Sequence, residues 1–112
     1  MKIRADMKEA VALQTYDLAW EPSPAVGVER RMLVRDEALG LATSIVRYAP
    51  GASFPAHTHP GGEEIFVLEG TFADEHGTYA AGTYLRNPPG SRHHPYSPDG
   101  CVLFVKLGHL RA

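Results

Sequence analysis

Apolar and polar residues alternate along this chain in short runs, a period of two that predicts strands rather than helices. Residues 28–35 (VERRMLVR) and 41–48 (LATSIVRY) flank a polar Asp36-Glu37 turn that ends near Gly40, and together they read as a hairpin. Pro50-Gly51 closes the second strand, and the short run 57–59 (HTH) follows Phe54-Pro55. Pro60-Gly61-Gly62 is a turn signal before the apolar run 63–68 (EEIFVL). Glu69-Gly70 is expected to turn the chain again, ahead of separate strands at 71–74, 78–80 and 83–87. The last run, 101–107 (CVLFVKL), is apolar on both faces and belongs in the middle of a sheet. Before residue 26 the pattern weakens: 7–13 fits a short helical turn, and 11–16 fits an edge strand equally well. Pro22 and Pro24 lack the amide a central strand needs, and Trp20 is expected to plug one end of the core.

Many short strands separated by Gly, Pro and Asp turns imply an all-β sandwich or a small antiparallel β-barrel. The length of 112 residues implies one domain spanning 1–112, with 1–25 as an N-terminal extension or edge strand. A domain of this size buries roughly two thirds of its unfolded surface, enough for a core without disulfides. The net charge of −2 is spread over interspersed acids and bases, so no basic stripe is available to phosphates and nucleic acid is not an expected partner. Cys101 is the only cysteine, and no long apolar run or signal-like segment occurs. The expected setting is therefore cytoplasmic, with no membrane partner.

The candidate chemistry lies in the middle of the chain. His57 and His59 stand two apart on an extended strand, so both imidazoles point to one side as a chelating pair. Glu63 opens the next strand beyond the turn, and His93 can supply a third imidazole. Glu64 is the alternative carboxylate, but it would face the opposite side of its strand. Imidazoles with a carboxylate suit Fe(II), Zn(II), Ni(II) or Mn(II), whereas magnesium and calcium prefer sites built mostly of oxygen. His94 should point away from His93, and His76 and His109 read as solvated. Cys101 reads as a small core residue, and Phe66, Phe72 and Phe104 as core or interface.

Two spacings, Gly51-x5-His57-x-His59-x3-Glu63-x6-Gly70 and Gly82-x5-Pro88-x-Gly90-x2-His93, resemble the paired motifs of the cupin superfamily, a jelly-roll β-barrel. The resemblance implies that His57, His59, Glu63 and His93 bind one metal. Ser97 stands where the second motif usually carries asparagine, a change that removes no ligand. The runs Val46-Arg-Tyr-Ala-Pro-Gly, Gly61-Gly-Glu-Glu-Ile-Phe-Val-Leu-Glu-Gly, Gly90-Ser-Arg-His-His-Pro and Gly100-Cys-Val-Leu-Phe-Val-Lys-Leu are similar to the cupin-like domain of ChrR-type anti-sigma factors. That subgroup resembles small dioxygenases acting on acetylacetone and dihydroxyacetophenone. The His-x3-Cys-x2-Cys motif of the sigma-binding zinc domain is not present, so inhibition of a sigma factor by that route is not expected.

The resemblance implies one divalent metal per subunit, Fe(II) or Zn(II) foremost, with Ni(II) and Mn(II) as further options. The expected function is a mononuclear dioxygenase that cleaves a C–C bond of a small β-diketone or hydroxyketone, or else a non-catalytic zinc or small-ligand sensor module. Isomerisation of a sugar or keto acid on the same barrel is a third, less favoured reading. Arg86, Tyr84, Arg47 and Tyr96, with Tyr48, are expected to line the pocket or to orient the ligands. Strands apolar on both faces need a second cover, and a homodimer would provide it.

Overall fold

The computed structural model describes residues 1–110. Ten strands follow in order: β1 Lys2–Ile3, β2 Glu21–Pro22, β3 Val28–Asp36, β4 Leu41–Tyr48, β5 His57–His59, β6 Glu63–Asp74, β7 Gly77–Ala80, β8 Tyr84–Asn87, β9 Ser91–His93 and β10 Cys101–Leu107. The principal sheet runs β1-β3-β4-β10-β6-β7, with β2 on β3 and β8 on β6, and every pairing is antiparallel. β5 and β9 form a separate two-stranded sheet. This is the all-β jelly-roll architecture expected of a cupin.

The 28–48 hairpin forms as expected, and β10 takes the central place between β4 and β6. One expected turn does not occur. β6 continues through Glu69-Gly70 as a single strand: a one-residue bulge at Leu68 in its ladder with β10, together with φ +74° at Gly70, bends the strand while Gly70 still pairs with Cys101. The amino-terminal stretch also differs from both expectations: it holds the two-residue strands β1 and β2 and one 3-10 turn at Thr15–Asp17. Pro22 is tolerated because β2 is an edge strand. Trp20 does not plug the core. It lies between two guanidinium groups, with Arg31 at 4.1 Å and Arg47 at 4.3 Å from its ring centroid.

Alternation then separates the two faces of the sheet. Val28, Val46, Tyr48, Ile65, Val67, Phe72, Cys101, Leu103 and Val105 point inward and form the core, where Tyr48 and Phe72 meet edge to face at 5.8 Å. The outward partners of these residues form a cross-strand row of Ile45, Phe104, Phe66 and Tyr84, in which Phe66 is 41% and Tyr84 48% exposed. Phe72 is therefore a core residue, while Phe66 belongs to an outer apolar face. No helix among the described residues is long and apolar enough to cross a membrane.

Candidate metal centre

The β5–β9 pair joins the two histidine-bearing segments. Its register sets His57 opposite His93 and His59 opposite Ser91, so parity directs all three imidazoles to one side. The turn is held by hydrogen bonds from the Gly62 and Gly90 amides to the His59 carbonyl, which brings Glu63 round to the same space. His59 Nε2 and His93 Nε2 lie 2.9 Å apart, and Glu63 Oε1 is 3.3 Å from each. The ring of His57 is centred 4.4 Å from that of His59 and 5.2 Å from that of His93. Potential ligand atoms of His57, His59 and His93 all lie within 4.8 Å of one another.

The separations of 2.9 and 3.3 Å among His59, His93 and Glu63 suit a shared ion. Donors about 2.1 Å from one ion are about 3.0 Å apart at a right angle and about 3.4 Å apart at the tetrahedral angle. The donor set of three imidazoles and one carboxylate also matches a borderline transition metal. His57 Nδ1 lies 2.7 Å from the Pro55 carbonyl, to which it donates as Nδ1–H, leaving the Nε2 lone pair free. Asn87 donates to Glu63 Oε1 at 3.2 Å.

Glu63 and Glu64 divide as strand alternation requires. Glu63 is buried in the cluster, whereas Glu64 accepts a hydrogen bond from the Tyr84 hydroxyl on the outer face. Burial works to raise the Glu63 pKa, but hydrogen bonds from His59 and His93 outweigh it and hold the carboxyl at about 2. Burial lowers the His93 pKa, but the Glu63 and Asp74 carboxylates together exceed that effect, and the net shift is upward. Burial dominates at His57, which is shifted downward.

Two polar residues at the site carried no functional signal in the sequence. The Asp74 carboxylate is buried, with Oδ2 3.7 Å from His93 Nδ1, and Oδ1 accepts from the His76 amide and the Tyr79 hydroxyl. In sequence it reads only as the residue before a reversal, which it also is. Asn87 likewise reads as a strand end, and only its pairing with Glu63 reveals its place.

The cluster opens on a cavity of about 260 Å³ walled by Val46, Tyr48, Phe54, Ile65, Phe72 and Leu103, among others. Tyr48 lines it as expected, and burial pushes its hydroxyl pKa up. Arg47, Tyr84, Arg86 and Tyr96 do not line it. Arg47 points outward to Glu29, at 2.6 Å, and stacks on Trp20. Arg86 and Tyr84 share the outer face of β8 and hydrogen-bond to each other, because β8 pairs with β6 in a register that turns Leu85 and Asn87 inward. Tyr96 is 38% exposed, in a bridge between Ser53 and Ala73. His94 and His76 are exposed, as expected, while His109 is half-buried with Nε2 3.5 Å from Thr43 Oγ1. Ser97 is fully buried, and its hydroxyl donates to the Thr71 carbonyl.

The family model of the ChrR cupin-like domain matches residues 8–111. The chain belongs to this cupin family. No curated protein matches it. Among solved structures, a candidate acetylacetone dioxygenase of Methylibium petroleiphilum PM1 is similar to this cupin with a TM-score of 0.81 at 24% identity, over 94% of this chain and 80% of that one. An acetylacetone dioxygenase of Acinetobacter johnsonii gives 0.74 at 22% identity, over 88% and 72%. The anti-sigma factor ChrR, in complex with SigE of Rhodobacter sphaeroides, gives 0.70 at 24% identity, over 81% of this chain and 50% of that one. The cupin chain thus spans about half the length of the ChrR chain it matches. At these identities the likeness establishes the shared fold.

Proposed function

We propose that His57, His59, Glu63 and His93 hold one divalent transition metal, and that the protein is a mononuclear dioxygenase acting on a small β-diketone or hydroxyketone. The observation that carries this reading is the convergence of three imidazoles and a buried carboxylate at one end of a small apolar cavity. When bound, such a metal supplies Lewis-acid polarisation of a carbonyl and, as iron, electrons toward dioxygen. The protein's part is to orient the donors, to hold Glu63 ionised and to exclude water with Phe54, Phe72 and Ile65. In the reaction one C–C bond of the substrate breaks and both atoms of dioxygen enter the products.

The cavity of about 260 Å³ lies just below the about 300–1,000 Å³ of ordinary ligand pockets, which favours a small substrate. Similarity to two structures described as acetylacetone dioxygenases supports the same chemistry. Oxygen uptake by iron-loaded protein with a panel of β-diketones and aryl hydroxyketones tests it, and consumption above the protein-free rate is the expected result. Absence of uptake, together with a strong rise in melting temperature on adding zinc, would favour the second reading. In that reading the domain is a zinc or small-ligand sensor module, and its support is the likeness to ChrR.

We further propose that 1–112 is one domain and that it forms a homodimer. The outer row of Ile45, Phe104, Phe66 and Tyr84 is a contiguous apolar strip that a second copy would cover. Light scattering at micromolar concentration is expected to give twice the chain mass of 12.2 kDa, and a single-chain mass rejects the dimer.

A further inference from the structure

Arg30 is the cationic side chain lining the cavity. It comes from β3, whereas the three histidines come from the β5–β9 pair, so it approaches from a different wall. Strand pairing sets Val46 beside Arg30 and Leu103 beside Val46, and these apolar side chains line the cavity together with Ile65, two residues from Glu63 on β6. The other half-buried arginines are all engaged: Arg31 donates to the Leu18 carbonyl, Arg35 meets Glu37 at 3.0 Å, and Arg47 meets Glu29 at 2.6 Å. Among the described residues, the Arg30 guanidinium has no carboxylate within 4.0 Å and makes no side-chain hydrogen bond. Glu21 stands opposite Arg30 across the β2–β3 ladder, yet it is exposed and forms no ion pair with it.

A guanidinium half withdrawn from water loses hydration, and an unpaired one recovers none of it. Burial and the neighbouring Arg35 accordingly push its pKa down, with Glu21 opposing them. The cationic group and the imidazole cluster thus stand on different strands around one cavity. A planar carboxylate is the anion that a guanidinium fork fits in bidentate fashion.

We infer that Arg30 is a specificity residue that anchors a carboxylate on the ligand, so that the cavity takes a small acid with an apolar body between this anion and the oxygens facing the histidines. The inference rests on the proposed metal-dependent function for the histidine-facing end alone. The carboxylate end stands on Arg30 and its surroundings.

Binding of a matched pair tests it: 4-acetyl-5-oxohexanoate, a β-diketone with a carboxylate arm, and its uncharged methyl ester, measured calorimetrically on zinc-loaded protein. The acid is expected to bind at least tenfold more tightly than the ester. Arg30→Gln should abolish that preference while leaving the ester within about twofold of its original affinity. Arg30→Lys, which keeps the charge but loses the fork, should retain only part of the preference, and Glu21→Gln should leave it intact. Equal binding of acid and ester by the unaltered protein, or equal weakening of both by Arg30→Gln, overturns the inference and leaves the diketone reading standing. A second arm uses hexanoate and hexanamide on metal-free protein, followed by NMR shifts. An Arg30-dependent preference for hexanoate, with no binding of either diketone, would reject the proposed function but keep the anchor. No preference in either arm rejects the anchor.

Discussion

His59 Nε2 and His93 Nε2 stand 2.9 Å apart, although the strand register places His93 opposite His57 and not opposite His59. The close approach is diagonal, and it occurs because both side chains lean toward Glu63 Oε1, 3.3 Å from each. Two imidazole nitrogens this close either hold protons between each other and Glu63 Oε1 or present two lone pairs to one cation. The proposed metal is the second case.

Removal of one imidazole is expected to break the site. His57→Ala and His93→Ala should each reduce bound metal to well under one ion per subunit, measured by elemental analysis on protein purified without added metal. Full occupancy in both variants would reject the ligand assignment.

Asp74 is expected to act through His93. Its Oδ2 lies 3.7 Å from His93 Nδ1, the distal side of the ring. Partners of this kind typically account for about 10–100-fold in metal affinity. Asp74→Asn should therefore weaken zinc binding about tenfold in a chelator competition while preserving stoichiometry at saturating zinc. Tyr79→Phe, which removes only the hydroxyl donated to Asp74 Oδ1, should leave the affinity within about threefold. Equal loss in both variants would mean that the turn, and not the carboxylate, matters.

Acid should destabilise the metal-free protein through Glu63. Its carboxyl titrates at about 2 in the folded chain against an ordinary 4.5, so the unfolded chain binds the proton more readily. The stabilisation from this group is complete above about pH 4.5 and is lost as pH falls from there through about 2. Urea midpoints between pH 2 and 6 should show the decline, and Glu63→Gln should flatten it. An unchanged slope in that variant counts against the buried hydrogen bonds as its source.

Gly70 should prove intolerant of a side chain. A Cβ there would lie 2.1 Å from the Gly100 carbonyl oxygen, at a φ of +74°. Gly82 has a similarly positive φ of +94° but open space around it. Gly82→Ala is expected to cost about 1–2 kcal/mol, the penalty of the left-handed backbone alone. Gly70→Ala should exceed it by at least ~1 kcal/mol in urea unfolding, since the bend in β6 must also shift.

Much of this was legible from side-chain type and spacing. The Asp36-Glu37 turn between two alternating runs specifies the hairpin locally, and the doubly apolar 101–107 run can sit only between other strands. His57 and His59 share a face by parity, whatever the fold. Parity also shows that Tyr84 and Arg86 share a face, but which face depends on the long-range register of β8 against β6. That register turns both residues outward. The same limit hides Arg30, whose inward direction is fixed only by β3 pairing with β4. Gly70 misleads because a strand bend and a turn use the same residue at the same positive φ. Asp74 was hidden for a related reason, since its Asx-type bond to the His76 amide is reason enough for an aspartate there.

The two segments that carry the histidines are far apart along the chain, His93 standing 34 positions after His59. They meet in a small ladder apart from the principal sheet. A cation shared by them would act as a removable staple, closing a long loop much as a covalent cross-link does. Stripping it should let this flap fray while the large sheet stays folded. The local supply of metal would thereby govern how firmly the vessel is shut.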